Sequence, residues 1–534
     1  MKAKMLTALA LVLFVLASLG CGSVQTSAAP TQVSGLTALE YFARGKAAYE
    51  AKNYDQAIAD LPKAIELDHK SADAYSYRGE CYRRQGKLDQ ALAEQNKAIE
   101  LAPQSALAYK NRGNTYYDKG DLERALADYN KALAIDPNLA AAYSGRGNVA
   151  SDQSNLAQAI KDYSKAIELD PKQAQFYSNR ALSYEDQGNL DQALADYNKA
   201  IDLDPKLESA YNNRGDFYDN QGNYNLAIAD LSKAIELNPK YTLAYNNRCI
   251  AYRNKGDPER ALADCNKAIE LDPKYPKTYT NRGNIYQDKE NLDSAIADFT
   301  KAIELEPQNP ISYFDRGYAY TDKGDLDRAL TDLNKAIELN PKDSDFYDNR
   351  GFVYRHQGKL DQALADYNKS LELNPKNSYA FADRCIANAD VGKLDQAIAD
   401  CTKTMELKPN EADAYYGRGV AYQAKGLKDQ ASADLQKYLQ LDSKTKNTFW
   451  AFAYHCIANA DLGKLDQAIA DCGKAIELNP QWAQPYYGRG SAYREKGSKP
   501  AAIADLEKYL QLAPPVFDRE RTQAASWLRE LKGQ

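Results

Sequence analysis

The sequence predicts an all-α solenoid of about fourteen stacked helix hairpins. Three observations predict it. A small residue recurs every 34 positions, from Gly45 through Gly79 and Gly113 to Gly419, and again at Cys456 and Gly490 after a slip of three. Such a period is the mark of a repeat array, not of the three or four globular domains that 534 residues would otherwise suggest. Within one unit, Tyr75 and Tyr82 fall seven apart on one helical face with Gly79 between them. Gly86 then permits the positive φ of a tight turn, and Pro103 stops the second helix.

The chain divides in order. Residues 1–20 read as a signal peptide, because Lys2 and Lys4 precede an apolar run from Met5 to Leu19. That run is short of the roughly 20 residues a permanent span needs. It ends at Ser18-Leu19-Gly20-Cys21, which resembles the lipobox of bacterial lipoproteins, with Ser18 where Leu is usual. The resemblance implies lipidation at Cys21. Cleavage near Ala28 and an uncleaved anchor are the alternatives. The implied location is exported and lipid-anchored to the bacterial cell envelope, or else soluble periplasmic or secreted. Residues 21–37 are Ser-, Thr-, Gly- and Ala-rich, as a flexible tether is. Repeats 1–12 occupy 38–445, an insertion with an irregular stack 446–448, repeats 13–14 residues 449–516, and a capping helix 517–534.

In the unit containing Tyr75 (position 4), Gly79 (8), Tyr82 (11), Gly86, Ala91 (20) and Pro103, the pattern resembles the tetratricopeptide repeat. The resemblance covers nearly the whole mature chain and implies a right-handed superhelical solenoid. It also implies that the first helix of each hairpin lines a concave groove. Lys52, Ser154 and Glu290 replace the turn Gly, and His69 and Ser443 the terminal Pro.

Tyr is abundant at 40 residues, and 26 of these fall at positions 4, 11 and 24, where interhelical packing is expected to bury them. Position 7 is Arg in every repeat but the one with His455; position 23 is Asp in every repeat but the one with Glu94. The sixteen-residue spacing predicts a ladder of hairpin ion pairs, each exposed and worth about 0–1 kcal/mol. Cys249 with Cys265, Cys385 with Cys401 and Cys456 with Cys472 occupy positions 8 and 24 of single repeats. Three intrarepeat disulfides are expected in an oxidising compartment, with reduced structural thiols or a metal pair as alternatives. Cys81 stands alone and reads as a buried thiol.

Residues 385–443 and 456–514 look duplicated, and Tyr438 and Tyr509 take the small-residue position 27. Lys446-Asn447-Thr448 marks the insertion, followed by Phe449, Trp450 and Phe452, which fill an altered interface or form a binding patch. After Pro514-Pro515, the spacing of Phe517, Ala524, Leu528 and Leu531 predicts the polar-backed helix a solenoid end needs.

By the resemblance, positions 2, 5, 9, 12 and 13 line the groove. Over fourteen repeats they hold 17 Asp or Glu against 8 Lys or Arg, more acidic than the whole chain at −6. Repeats four to six contribute Asp152, Glu185, Asp186, Asp216 and Asp219 without a basic residue at those positions; repeats nine and ten add Phe314, Tyr318 and Phe352. This predicts capture of protein or peptide segments bearing Lys or Arg. Lys110 and Asn114 match part of a carboxylate clamp known in the family, but Gly145, Gln175 and Asn179 do not complete it. The acidic balance opposes nucleic-acid binding. Three scattered His and the absence of a phosphate-binding Gly loop oppose an enzyme, and no cofactor or metal is expected. An envelope glycan or peptidoglycan ligand is the alternative reading.

Overall fold

The computed structural model describes residues 36–441, 448–514 and 518–533. The signal segment, Cys21, nearly all of the tether, Ser443, Lys446, Asn447 and Phe517 lie outside them. Among the described residues there are 29 α-helices and no strand, and no helix is long and apolar enough to cross a membrane. The helices pack as consecutive antiparallel hairpins. Two compact units divide the chain after Pro205. The first runs from α1 (Ala38–Glu50) to α10 (Leu190–Leu203), the second from α11 (Glu208–Asn220) to α29 (Asp518–Lys532).

Local chemistry sets the helix ends. Thr37 and Glu40 form a reciprocal capping box at α1. In α3 (Ala72–Arg84), the chain leaves through Gly86 at φ +74°, and the Lys87 amide donates back to the Tyr82 carbonyl at 2.9 Å. Lys52, Ser154 and Glu290 adopt the same left-handed conformation at φ +60°, +59° and +57°. Their Cβ atoms make this turn costlier than Gly would, by roughly 1–2 kcal/mol.

Position 8 against position 24 forms the hairpin seam. A Cβ on Gly113 would lie 2.9 Å from the ring of Tyr129, and one on Gly147 2.8 Å from that of Tyr163. Tyr129, Tyr163, Tyr197 and Tyr367 at position 24 are buried, as expected. The rings at positions 4 and 11 differ from expectation: most are only half-buried. The ladder arginine covers them instead. The Arg112 guanidinium lies 5.6 Å from the Tyr109 ring centre and 5.8 Å from that of Tyr116, a cation–π sandwich.

The ladder itself is more buried than an exposed pair. Arg112 donates from Nε and Nη2 to both oxygens of Asp128, at 2.7 and 2.8 Å, and the Asp128 side chain is 8% exposed. Bidentate geometry and a sealed carboxylate make such a rung stronger than the surface case. The hydrogen bond to Asp128 raises the Arg112 pKa. Arg112 Nη1 also reaches Asn96 of the preceding repeat at 2.7 Å. Arg146 repeats this with Asp162 and Asn130, and Arg350 with Asp366 and Asn334. These rungs fix both a hairpin and its stacking on the hairpin before it, whereas Arg489, with Gly473 at the matching position, holds only Asp505.

Within each unit, first helices touch the next first helix, as α3 does α5 (Ala106–Asp118) and α21 (Ser378–Asp390) does α23 (Ala412–Ala424). Second helices make no comparable pairing among the described residues. The first helices thus form the inner face. In the second unit, α25 (Thr448–Asp461) begins at Thr448, which is buried, and packs on α24 (Lys428–Leu441). Tyr438 and Tyr509 are both buried, against Tyr416 and Tyr487. On α29, Ala524 and Leu528 are buried and Trp527 stacks on Tyr487 at 5.4 Å. Arg521 donates to the carbonyls of Leu510 and Ala513, satisfying the end of α28 (Lys499–Leu512).

Candidate functional site

The first helices carry a row of carboxylates at their last residues: Asp118 on α5, Asp152 on α7 (Ala140–Asp152), Asp186 on α9 (Ala174–Asp186), Asp288 on α15 (Pro276–Asp288), Asp322 on α17 (Pro310–Asp322) and Asp390 on α21. A carboxylate there opposes the helix dipole, so within each unit these residues deepen the negative potential at the ends of the first helices. Most members are answered from the preceding repeat. Arg83 pairs with Asp118 at 2.5 Å, Arg253 with Asp288 at 2.5 Å, Gln287 donates to Asp322 at 2.7 Å, and Arg355 lies 3.5 Å from Asp390. In the first unit two helices lack a cation here, and at one of them the neutral Tyr117 of the preceding repeat hydrogen-bonds Asp152 instead. Asp152 and Asp186 are exposed, and no cation pairs with either among the described residues.

The remaining expected residues separate into different environments. Glu185, half-buried, accepts from the Tyr197 hydroxyl at 2.9 Å. Asp216 and Asp219 belong to the second unit, so they are not grouped with the other three. Asp219 is half-buried and accepts from Asn254 at 2.9 Å; burial pushes its pKa up. Phe314 is not an open anchor: it packs 5.1 Å from the fully buried Phe346 and onto Leu333 and Val353. Phe352 is half-buried, 4.1 Å from the His356 ring. Tyr318 alone of the three is exposed, at 45%. Asn114 accepts from the Tyr129 hydroxyl at 2.9 Å and Lys110 donates to Asn111 at 2.5 Å, so both partial clamp residues are already engaged.

The cysteines stand in the seam. Cys249–Cys265, Cys385–Cys401 and Cys456–Cys472 are joined, with Cα atoms 5.5, 5.5 and 5.3 Å apart. They fill the space that Gly and a large side chain fill elsewhere. Gly417 and Gly488 of the following repeats press against them; an added Cβ would lie 2.9 Å from Cys401 Sγ and 3.0 Å from Cys472 Sγ. Cys81 is a fully buried thiol whose pKa burial pushes up to about 12.

Three features went unread in the sequence. A second ladder runs across the inner face: Asn111 donates to Ser76 at 2.9 Å, Asn247 to Asn212 at 3.3 Å and Asn281 to Asn246 at 2.9 Å, each from position 6 to position 5 of the previous repeat. His455 takes the ladder arginine's place, with Nδ1 3.1 Å from Asp471, and Nε2 3.3 Å from Ser432 Oγ and 3.2 Å from Asn459. Its Ser–His–Asp order resembles a nucleophile and base. However, Ser432 is 5% exposed and donates to Asn459 at 3.0 Å, which leaves no approach for a substrate. Trp482 joins Phe449 and Trp450, at 5.4 and 4.2 Å, in an aromatic cluster. Among the described residues no three His, Cys, Asp or Glu converge on a metal position.

Comparison with known proteins matches this geometry to one repeat. Sequence profiles described as "TPR repeat" match residues 113–154, 317–358 and 458–497. Profiles described as "Tetratricopeptide repeat" match 42–106, 145–208, 209–241, 242–275, 276–309, 299–331, 347–377, 412–445 and 483–515. No curated protein matches the chain. Among solved structures it is similar to the APC/C hetero-tetramer Cut9–Hcn1, at 16% identity and a TM-score of 0.58, covering 92% of this chain and 96% of that one. It is also similar to yeast Tom70, at 20% identity and a TM-score of 0.39 over 81% and 96%. A third is YrrB, "a TPR protein with an unusual peptide-binding site", at 28% identity and a TM-score of 0.29 over 35% and 97%.

Proposed function

We propose, from the premise that the chain belongs to the tetratricopeptide repeat family, that it is a non-catalytic extracytoplasmic scaffold. Its acidic inner faces hold protein segments that carry Lys or Arg. The family supplies the scaffold role, and the observation that carries the charge preference is the pair Asp152 and Asp186. At these two helix ends the carboxylate is exposed and lacks the arginine that answers Asp118, Asp288 and Asp390. Opposite charge on a partner would add to on-rate and specificity there. The signal-like start, Cys21 and the three disulfides support an exported, lipid-anchored location, since disulfides persist in oxidising compartments.

The test is binding of labelled Lys/Arg-rich peptides to the Asp152→Lys/Asp186→Lys variant across a salt series. Affinity should drop about tenfold or more and its salt dependence should flatten. Unchanged binding at every salt concentration dismisses this face. A second reading, an envelope glycan, is favoured by Trp450, 37% exposed on the Phe449–Trp482 cluster. Retention on immobilised peptidoglycan that is lost in Trp450→Ala would favour it.

A further inference from the structure

The asparagine ladder of the inner face does not run the length of the second unit: past Asn281, position 6 is Asp315, then Asn349, which donates at 3.0 Å to the Asp345 carbonyl of its own helix, then Asp383. Where it is intact, an Asn at position 6 donates to the position 5 side chain of the preceding repeat, as Asn281 does to Asn246 at 2.9 Å. At α19 (Ser344–His356) and α21, position 5 is Asp348 and position 6 is Asp383. An acceptor therefore meets an acceptor. Asp348 is 7% exposed, and its Oδ1 is buried without a hydrogen-bond partner. An orphaned buried carboxylate oxygen is costly, and nothing in the seam or ladder requires it.

The surroundings are anionic. Asp345 lies one turn before Asp348 on the same face, and Asp413 of α23 adds negative charge at Asp383. Arg355 faces Asp383 with its charge but pairs with Asp390 at 3.5 Å and keeps a buried Nε without a partner, and Asn377 hydrogen-bonds Asp348, leaving its Oδ1 unmatched. Phe352, one turn beyond Asp348, offers half-buried ring surface for an alkyl stem. The carboxylates are not gathered closely enough to ligate one metal ion.

We propose that the Asp348–Asp383 gap is a receptor for one lysine or arginine side chain of an extended polypeptide lying along the first helices. The inference rests on the acidic-face reading above but at residues which that reading does not use. A bound ammonium or guanidinium supplies the donor that the missing asparagine does not. It also explains how two facing carboxylates are retained. With no cation bound, burial and the charges of Asp383 and Asp345 hold Asp348 up to about 8, and burial holds Asp383 up to about 6 against the charge of Arg355. Binding a cation favours the ionised forms, so capture releases protons and tightens as pH rises from about 5 to 8.

The decisive variant is Asp383→Asn, which restores the ladder donor. Labelled short peptides carrying arginine, lysine or citrulline are titrated against the full chain and the variant by fluorescence anisotropy, with melting temperature followed alongside. Arginine or lysine peptides should bind about tenfold more weakly to Asp383→Asn, while its melting temperature holds or rises. Citrulline peptides should bind weakly to both. Whichever of the arginine and lysine peptides binds more tightly identifies the headgroup. Unchanged affinity in Asp383→Asn, or affinity flat from pH 5 to 8, overturns the receptor. If Asp186→Asn in the first unit still weakens binding in that case, the acidic-face reading survives. A fall in melting temperature for Asp383→Asn overturns the ladder argument, and Asp348→Asn then serves as the second check on peptide affinity.

Discussion

Two neighbouring hairpins of the second unit fill the same seam by different means. In the hairpin of α13 (Thr242–Asn254) and α14 (Pro258–Leu271), Cys249 is bonded to Cys265. In that of α15 and α16 (Leu292–Leu305), Gly283 lies under Phe299, whose Cε1 would stand 2.6 Å from an added Cβ. The exterior is constant: Arg248 and Arg282 hold Asp264 and Asp298, each with a 2.7 Å contact, and Arg282 reaches back to Asn266 at 2.6 Å. The seam thus specifies a volume more than a chemistry. A hydrogen beneath a ring satisfies it, and so do two sulfurs. The ring depends on packing alone, whereas the sulfurs depend on the redox state around them.

That comparison can be broken in four ways. Phe299→Ala should have the largest effect, about 3–5 kcal/mol, because it opens a cavity no neighbour can refill. Urea denaturation with hydrogen exchange read at α15 and α16 measures it; a loss under about 1 kcal/mol would mean the seam collapses freely. Next, Cys249→Ala with Cys265→Ala should cost about 3 kcal/mol in oxidising buffer, the chain-entropy value for a loop of this size. The same variant should match the wild type once both are reduced. A persisting gap under reductant would show that the sulfurs serve as packing more than as a tie. Gly283→Ala should cost about 1–3 kcal/mol through overpacking, while the ladder contact Arg282–Asp298 survives. The smallest change is expected at the turn, where the chain leaves α15 through Glu290 at φ +57° and α13 through Gly256 at φ +83°. Glu290→Gly should gain about 0.5–1 kcal/mol, and a loss would mean the Glu290 side chain has an unrecognised partner.

Much of this was legible in the sequence because it repeats at a fixed offset. Arg78 with Glu94, Gly79 with Gln95 and Cys249 with Cys265 all lie sixteen apart in one hairpin, so each partner could be counted. The asparagine ladder was not legible because Asn281 and Asn246 are 35 apart in different repeats, and position 6 was not among the positions assigned to the groove. Burial of individual groove residues was equally hidden. Asp152 and Asp219, at positions 13 and 12 of their repeats, both read as groove residues, yet one is exposed and the other is half-buried against Asn254. His455 read as an isolated histidine because its network draws Ser432 from the preceding hairpin.

The three disulfides have a mechanical consequence. All lie in the second unit, and each ties residues 16 apart. Pulled from its ends, an untied hairpin can pay out its full length of chain. A tied one withholds the segment between its sulfurs, roughly 50 Å at about 3.3–3.6 Å per extended residue. The second unit would therefore yield in shorter steps than the first at repeats seven, eleven and thirteen. Those hairpins would act as stops that limit how far a strained tether can stretch.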